Sequence, residues 1–461
     1  MSDIWRSNPG GQSLYLIWAD WEPVKKAPPC AGNEQQYDGH CFVIVPEVDE
    51  AIRSWSLLGF TTTAIVYGTP AWARGNRPCQ FGIYCVPNDA ADFGRFAGML
   101  ARRYNGLNGH GRMADFVLDR EVGNIRYFDI GCGLGPCDQF EWLDLIAENY
   151  NAAFDAVAVE QSTARVMTSI DNKFASSFDD AAHGQLSGMT VLMGVANRAA
   201  GRAWRVSINA YNKPEAAGFS YGDYPYVTLG NIGILVGWLR QKFPDAPQLR
   251  SVQLTEQGLP GRPALESQQS EYLCDGFHNA LGTPGVESFI YYRMQDQAGD
   301  SNQLGLRRLD ASAKPSWSTW ADANRVDLDP ALLSCGFQYI PYTLLTLGYD
   351  AARGSIATTR ILPAGYAVTK SWYLYRSEEP GTIMVYECHI GSKSFLTTRH
   401  TCDNEFPYGP VGRVFRDPRP FHVPLYTCYN GEFADHFVSS EVDCGGPPST
   451  MLALLGYVRP A

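Results

Sequence analysis

The stretch Ser251-Val-Gln-Leu-Thr-Glu256-Gln-Gly258 joins a short apolar run to a carboxylate and then to a glycine. In a parallel barrel of alternating strands and helices, the loops at the C-terminal ends of the strands converge on one mouth. An acid that ends a strand therefore stands where ligands bind, and an ionised Glu256 there can serve as nucleophile or base. Gln257 adds an amide able to hydrogen-bond a substrate hydroxyl or Glu256 itself. Trp72, after a Thr-Pro turn, offers an aromatic face for a sugar ring or a plug for the top of the barrel. Tyr211, Arg293 and Asp296 follow apolar runs and are expected at the same mouth.

Eight apolar, β-prone runs can position these groups: 13–18, 41–45, 61–67, 126–130, 164–170, 204–211, 251–258 and 288–296. Helical spacing at 48–58, 92–104, 142–159, 229–242 and 270–280 lies between many of them. Strands alternating with helices in this way predict a (β/α)8 TIM barrel over residues 1–328, with the junction near 327–335. Beyond it, Gly- and Pro-punctuated short strands repeat about every 40 residues. Met384-Val-Tyr-Glu-Cys388 with Ser394-Phe-Leu-Thr-Thr-Arg399 resembles Pro424-Leu-Tyr-Thr-Cys428 with Asp435-His-Phe-Val-Ser-Ser440, and a fainter copy starts at Ile340. Three units too small to bury a core alone predict a small all-β domain over 336–461, closed as a β-trefoil.

The net charge of −11 excludes a nucleic acid or an anionic membrane as the natural partner. No apolar run is long enough to span a bilayer. The twelve cysteines fall mostly into close pairs: 30/41, 79/85, 132/137, 388/402 and 428/444, with Cys274 and Cys335 left for each other. Disulfides in an oxidising compartment are expected, hence a secreted protein, although Met1-Ser-Asp-Ile opens no signal peptide. Tail histidines 389, 400, 422 and 436 lack metal-site spacing and are expected to be structural, and no metal or cofactor is predicted. A monomer is expected.

Tyr67-Gly-Thr-Pro-Ala-Trp72-Ala, Arg165-Val-Met-Thr-Ser-Ile-Asp171, Leu254-Thr-Glu-Gln-Gly258 and Tyr292-Arg-Met-Gln-Asp296, in this order, resemble the retaining glycoside hydrolases built on (β/α)8 barrels. The tail resembles a repeat module of secreted proteins. The resemblance implies that Glu256 is the nucleophile, with a second carboxyl about 5 Å away as acid/base. In such enzymes that group ends the fourth strand as Asn-Glu. With 126–130 taken as that strand, Cys132 and Gly133 occupy those positions, and Asn209 stands where the clan often has His.

Asp129 and Glu141 are then the replacement acids. Glu121 falls before the strand, at the wrong end of the barrel, and is set aside. The resulting expectation is a secreted glycoside hydrolase acting on an oligo- or polysaccharide, with an atypical acid/base. The alternative is a catalytically degenerate, glycan-binding barrel, and a purely structural disulfide-held protein is the third reading.

Overall fold

The computed structural model describes residues 10–323, 335 and 342–461; the expected junction at 327–334 lies outside them. The described chain forms two compact units, one of residues 10–209 with 253–255 and one of 210–252 with 256 onward.

In the first unit, β1 (Gly11–Ile17) runs into a single helical turn, α1 (Trp18–Trp21). A small antiparallel hairpin follows, β2 (Glu34–Tyr37) and β3 (His40–Val43). The run at 41–45 is thus no barrel strand. Asp38 and Gly39 take positive φ (41° and 79°), which makes the tight hairpin turn, and the Cys30–Cys41 disulfide ties its second arm back. After α2 (Pro46–Leu57), β4 (Thr61–Tyr67) pairs in parallel with β1.

Helix α3 (Ala90–Arg103) starts on an Asp89 side-chain cap and ends on Arg102 and Arg103, as orphan N–H groups and the helix dipole favour. Its Phe93 and Phe96 pack on Trp18, with ring centroids 6.0 and 6.2 Å away.

The next parallel strand is β5 (Asp115–Leu118), flanked by β4 and β6 (Arg165–Ile170). This overturns the expected strand at 126–130, which is turn structure with one isolated bridge, Cys85 to Asp129. The misleading signal was apolar content: Phe128 and Ile130 are buried without belonging to a sheet. The true strand offers only Phe-Val-Leu between two aspartates, too short a run to stand out.

Helix α4 (Gln139–Glu160) is capped by Asp138, α5 (Gly188–Arg198) by Ser187, and β7 (Arg205–Ile208) pairs with β6. With β8 (Val252–Gln257) and β9 (Val286–Tyr291) the parallel sheet has seven strands in the order β1-β4-β5-β6-β7-β8-β9, one fewer than the eight expected. This curled parallel sheet is TIM-barrel-like.

The second unit contains α6 (Gly233–Lys242), α7 (Glu266–Leu281), β9 and α8 (Pro315–Asp322). Its tail holds nine antiparallel strands in three like groups. The first is β10 (Tyr342–Asp350), β11 (Gly354–Thr358) and β12 (Ala367–Tyr375). The second is β13 (Thr382–Ile390), β14 (Lys393–Thr397) and β15 (Phe406–Phe415). The third is β16 (Val423–Asn430), β17 (Asp435–Ser439) and β18 (Ser449–Pro460). Leu345, Val385 and Leu425 sit at matching places in the three groups and meet in one core with Trp372, Leu374 and Val458. The threefold repeat seen in the sequence is therefore a repeat of hairpin plus third strand.

Five of the six expected disulfides are formed. Cys274 and Cys335 are not joined, although their sulfurs and a His278 nitrogen lie within 4.8 Å of one another. No helix among the described residues is long and apolar enough to cross a membrane.

Candidate active site

In the first unit, polar residues gather where the parallel strands end. Asp119 directly follows β5 with φ 59°, and Asn149 of α4 donates its side-chain amide to it at 2.6 Å. Burial pushes the Asp119 carboxyl up to about 7 against that hydrogen bond. Asp171 directly follows β6. Burial raises its carboxyl to about 6, although the Lys173 charge and backbone N–H and the Gln185 amide favour the ionised form.

Two residues beyond Asp119 stands Glu121, buried, with φ 45°. Its backbone is pinned to β6: its N–H points to the Ser169 hydroxyl at 3.4 Å, and the Val122 N–H donates to the Ser169 carbonyl at 3.0 Å. Trp142 of α4 clamps the same turn through its indole N–H, 2.9 Å from the Val122 carbonyl. Asn209, just after β7 and buried, donates its amide to Glu121 Oε1 at 2.9 Å. The Asn209 Oδ1 in turn accepts from the Thr255 hydroxyl at 3.3 Å.

Glu121 was set aside because it precedes residues 126–130. Since β5 is the real strand, Glu121 follows a strand rather than preceding one, and it stands at the chemically competent end. The signal was present in the sequence as an acid three residues beyond an apolar triplet, Phe-Val-Leu-Asp-Arg-Glu.

In the second unit, Glu256 is buried on β8, and the Tyr211 hydroxyl donates to its Oε1 at 2.9 Å. Side chains alternate faces along a strand, so neighbouring Gln257 turns away from Glu256. The Gln257 amide is taken up by backbone instead: its Oε1 accepts from the Ala210 N–H at 3.4 Å and its Nε2 donates to the Ile290 carbonyl at 2.8 Å. That makes it a brace for the strand ends rather than a substrate ligand.

The remaining predicted residues are placed as follows. The Asp129 carboxylate is buried and accepts from the backbone N–H groups of Gln80, Phe81 and Gly131 at 2.6, 3.0 and 2.9 Å, the work of a turn-organising acid. Glu141 lies in the first turn of α4 with its side chain 55% exposed, paired with Arg77 at 3.1 Å. Gly133, with φ 62°, belongs to the Cys132–Cys137 loop and to no strand.

Trp72 donates its indole N–H to the Glu22 carbonyl at 2.8 Å, stands edge-on to Trp18, and carries the Lys25 ammonium 4.8 Å over its ring. Asp296 forms a buried ion pair with Lys314 at 2.9 Å and accepts from the Gly305 N–H at 2.8 Å, contacts that serve the fold. Arg293 packs over the Tyr292 ring at 4.5 Å and donates to the Gln297 side chain.

A family model described as "Family of unknown function (DUF5722)" matches residues 86–329. The chain belongs to this family. No functionally curated protein matches its sequence. Among solved structures, a family 39 glycoside hydrolase from the gut symbiont Bacteroides cellulosilyticus WH2 is similar with a TM-score of 0.52 and 16% identity, over 84% of this chain and 71% of that one. The exo-beta-1,4-mannosidase Op5Man5 from Opitutaceae bacterium strain TAV5 has a TM-score of 0.45 and 13% identity, over 70% of this chain and 54% of that one. A beta-glucosidase from Thermotoga maritima gives 0.46 and 12%, over 73% of this chain and 86% of that one. At these identities the first likeness supports the fold of this DUF5722 member: a TIM-barrel-like sheet of the kind glycoside hydrolases use.

Proposed function

We propose that this DUF5722 protein is a secreted glycoside hydrolase acting on an oligo- or polysaccharide, with Glu256 as nucleophile and Glu121 as acid/base. The observation that carries the reading is that Glu121 and Glu256 are both buried acids at the ends of parallel strands, each held by a side chain flanking Ala210. Asn209 holds Glu121, and Tyr211 holds Glu256. The Tyr211 hydroxyl orients the nucleophile's carboxylate, and the Asn209 amide orients the acid/base. In a retaining mechanism Glu256 attacks the anomeric carbon while Glu121 protonates the leaving oxygen; water, deprotonated by Glu121, then releases the sugar.

The reading replaces Asp129 and Glu141, whose carboxylates serve a turn and a surface ion pair. It also removes the main argument for a degenerate barrel, because Gly133 was matched to a strand that does not exist. The five disulfides fit secretion, and the three hairpin-plus-strand groups of the tail support its reading as trefoil-like. Reducing-sugar release from a broad polysaccharide panel tests the proposal. Release by the wild type that disappears in both Glu256→Ala and Glu121→Ala supports it, and release that survives in either variant sinks that residue's assignment.

A further inference from the structure

Within the second unit, a cavity of about 400 Å³ lies between the segment that follows β7 and the first and middle groups of the tail. Its walls are aromatic: Tyr224, Phe406 and Tyr366. Its floor is polar, formed by Tyr221, His389 and Ser394, and beneath them Glu387 is completely buried.

Glu387 accepts from the Tyr221 hydroxyl, lies 3.3 Å from His389 Nε2 and 3.4 Å from the Ser394 hydroxyl, and is ion-paired with Arg360, also fully buried. The Tyr408 ring stacks flat on His389, with centroids 3.7 Å apart. Arg360 Nε and Nη1 are buried without a hydrogen-bond partner.

Strand register shows that this cluster is no requirement of the fold. Glu387 faces Leu396 across its hairpin, where the other two hairpins pair Leu347 with Ala357 and Thr427 with Val438. The same register sets His389 opposite Ser394, where the other hairpins have Tyr349 opposite Ser355 and Tyr429 opposite His436. One group of three has thus exchanged a leucine or threonine position for a buried carboxylate, and a buried ion pair stabilises a fold less than apolar packing does.

The Tyr221 carbonyl accepts from the Tyr408 hydroxyl at 3.3 Å, and the helix that follows its segment, α6, meets this group by backbone approach. Gly409, with φ +117°, lies so close to the Gly233 carbonyl of α6 that no Cβ fits between them.

We propose that this cavity is a saccharide-binding site, separate from the strand-end carboxylates and taking a neutral mono- or disaccharide. Its volume lies at the small end of the range for ligand pockets, roughly 300–1,000 Å³. Aromatic walls suit the apolar C–H faces of a pyranose. The floor's hydroxyls and imidazole suit its hydroxyl groups, and both cations at the site are already paired, Arg360 with Glu387 and the lining Arg353 with Asp350 at 2.8 Å, which favours a neutral ligand. The assignment does not depend on the barrel's chemistry.

Isothermal titration calorimetry on the full chain carrying Glu256→Ala tests it, with cellobiose, mannobiose and xylobiose as neutral probes and glucuronic acid as a charged one. Saturable binding of at least one neutral disaccharide is expected. It should weaken at least tenfold in Tyr366→Ala, a partly exposed position that tolerates truncation, and in Ser394→Ala, each compared at unchanged melting temperature. If Ser394→Ala does not fold, Tyr366→Ala alone decides. Binding that survives the pocket substitutions, binding of glucuronic acid only, or no binding of any neutral probe overturns the assignment.

Discussion

Asn209 donates its side-chain amide to Glu121 across 2.9 Å, and both are buried in the first unit. This hydrogen bond orients one carboxyl oxygen and leaves the acid no free rotation. Asn209→Ala is expected to lower kcat of the proposed glycosidase by about 10–100-fold with little change in KM, since a misplaced proton donor slows the chemical step alone. An equal loss in KM would show that Asn209 binds substrate instead.

Glu121→Ala should abolish cleavage of natural glycosides yet retain action on aryl glycosides whose leaving groups need no proton. General acid assistance is worth on the order of 10²–10⁴-fold in rate. Added azide should restore turnover by substituting for the activated water. Glu141→Gln, which only loosens a surface ion pair, is expected to act like the wild type, and a strong loss there would reinstate it as the acid.

Removing the Tyr211 hydroxyl with Tyr211→Phe withdraws a donor from the Glu256 carboxylate. The nucleophile is then held less firmly in line with the anomeric carbon, so kcat should fall by about 10-fold with little change in KM. An unchanged kcat would show that this hydrogen bond does not position Glu256.

The Asp119 carboxyl, pushed up to about 7 by burial, makes stability pH-dependent. A carboxyl whose folded pKa exceeds its unfolded value stabilises the fold when protonated, and that contribution is lost as pH rises through about 7. Asp119→Asn keeps an acceptor for Asn149 and cannot ionise. It should raise the melting temperature at pH 8 and have little effect at pH 4, a gain on the order of 1–2 kcal/mol. Equal effects at both pH values would refute the linkage.

Lys314 and Asp296 form a buried pair. Lys314→Met removes the cation beside Asp296 while the Gly305 N–H remains, and a loss of about 3–5 kcal/mol in denaturant unfolding is expected. A variant as stable as the wild type would mean that the pair contributes nothing net to the fold.

The long or sharply bounded elements were legible in the sequence. Thr61–Tyr67 is a strand from end to end, as its β-branched run predicts. The tail's three groups start at Tyr342, Thr382 and Val423, matching the period of about 40 residues. Five cysteine pairs follow from spacing alone, because a short loop brings its own ends together. The burial of Glu256 at a strand end was equally readable.

Tertiary structure alone decided which apolar runs join the sheet. Phe128 and Ile130 bury themselves beneath turns, while three apolar residues at 116–118 become a strand because β4 and β6 offer hydrogen-bonding partners on both sides. That choice puts Glu121 after a strand and makes it the acid/base of the proposed function. The sequence by itself determined which residue types were available for chemistry, through composition and local periodicity. Only long-range pairing, which no local pattern encodes, decided that Glu121 follows a strand, that Gln257 turns from Glu256 to brace backbone, and that Glu387 is buried under a cavity of the tail.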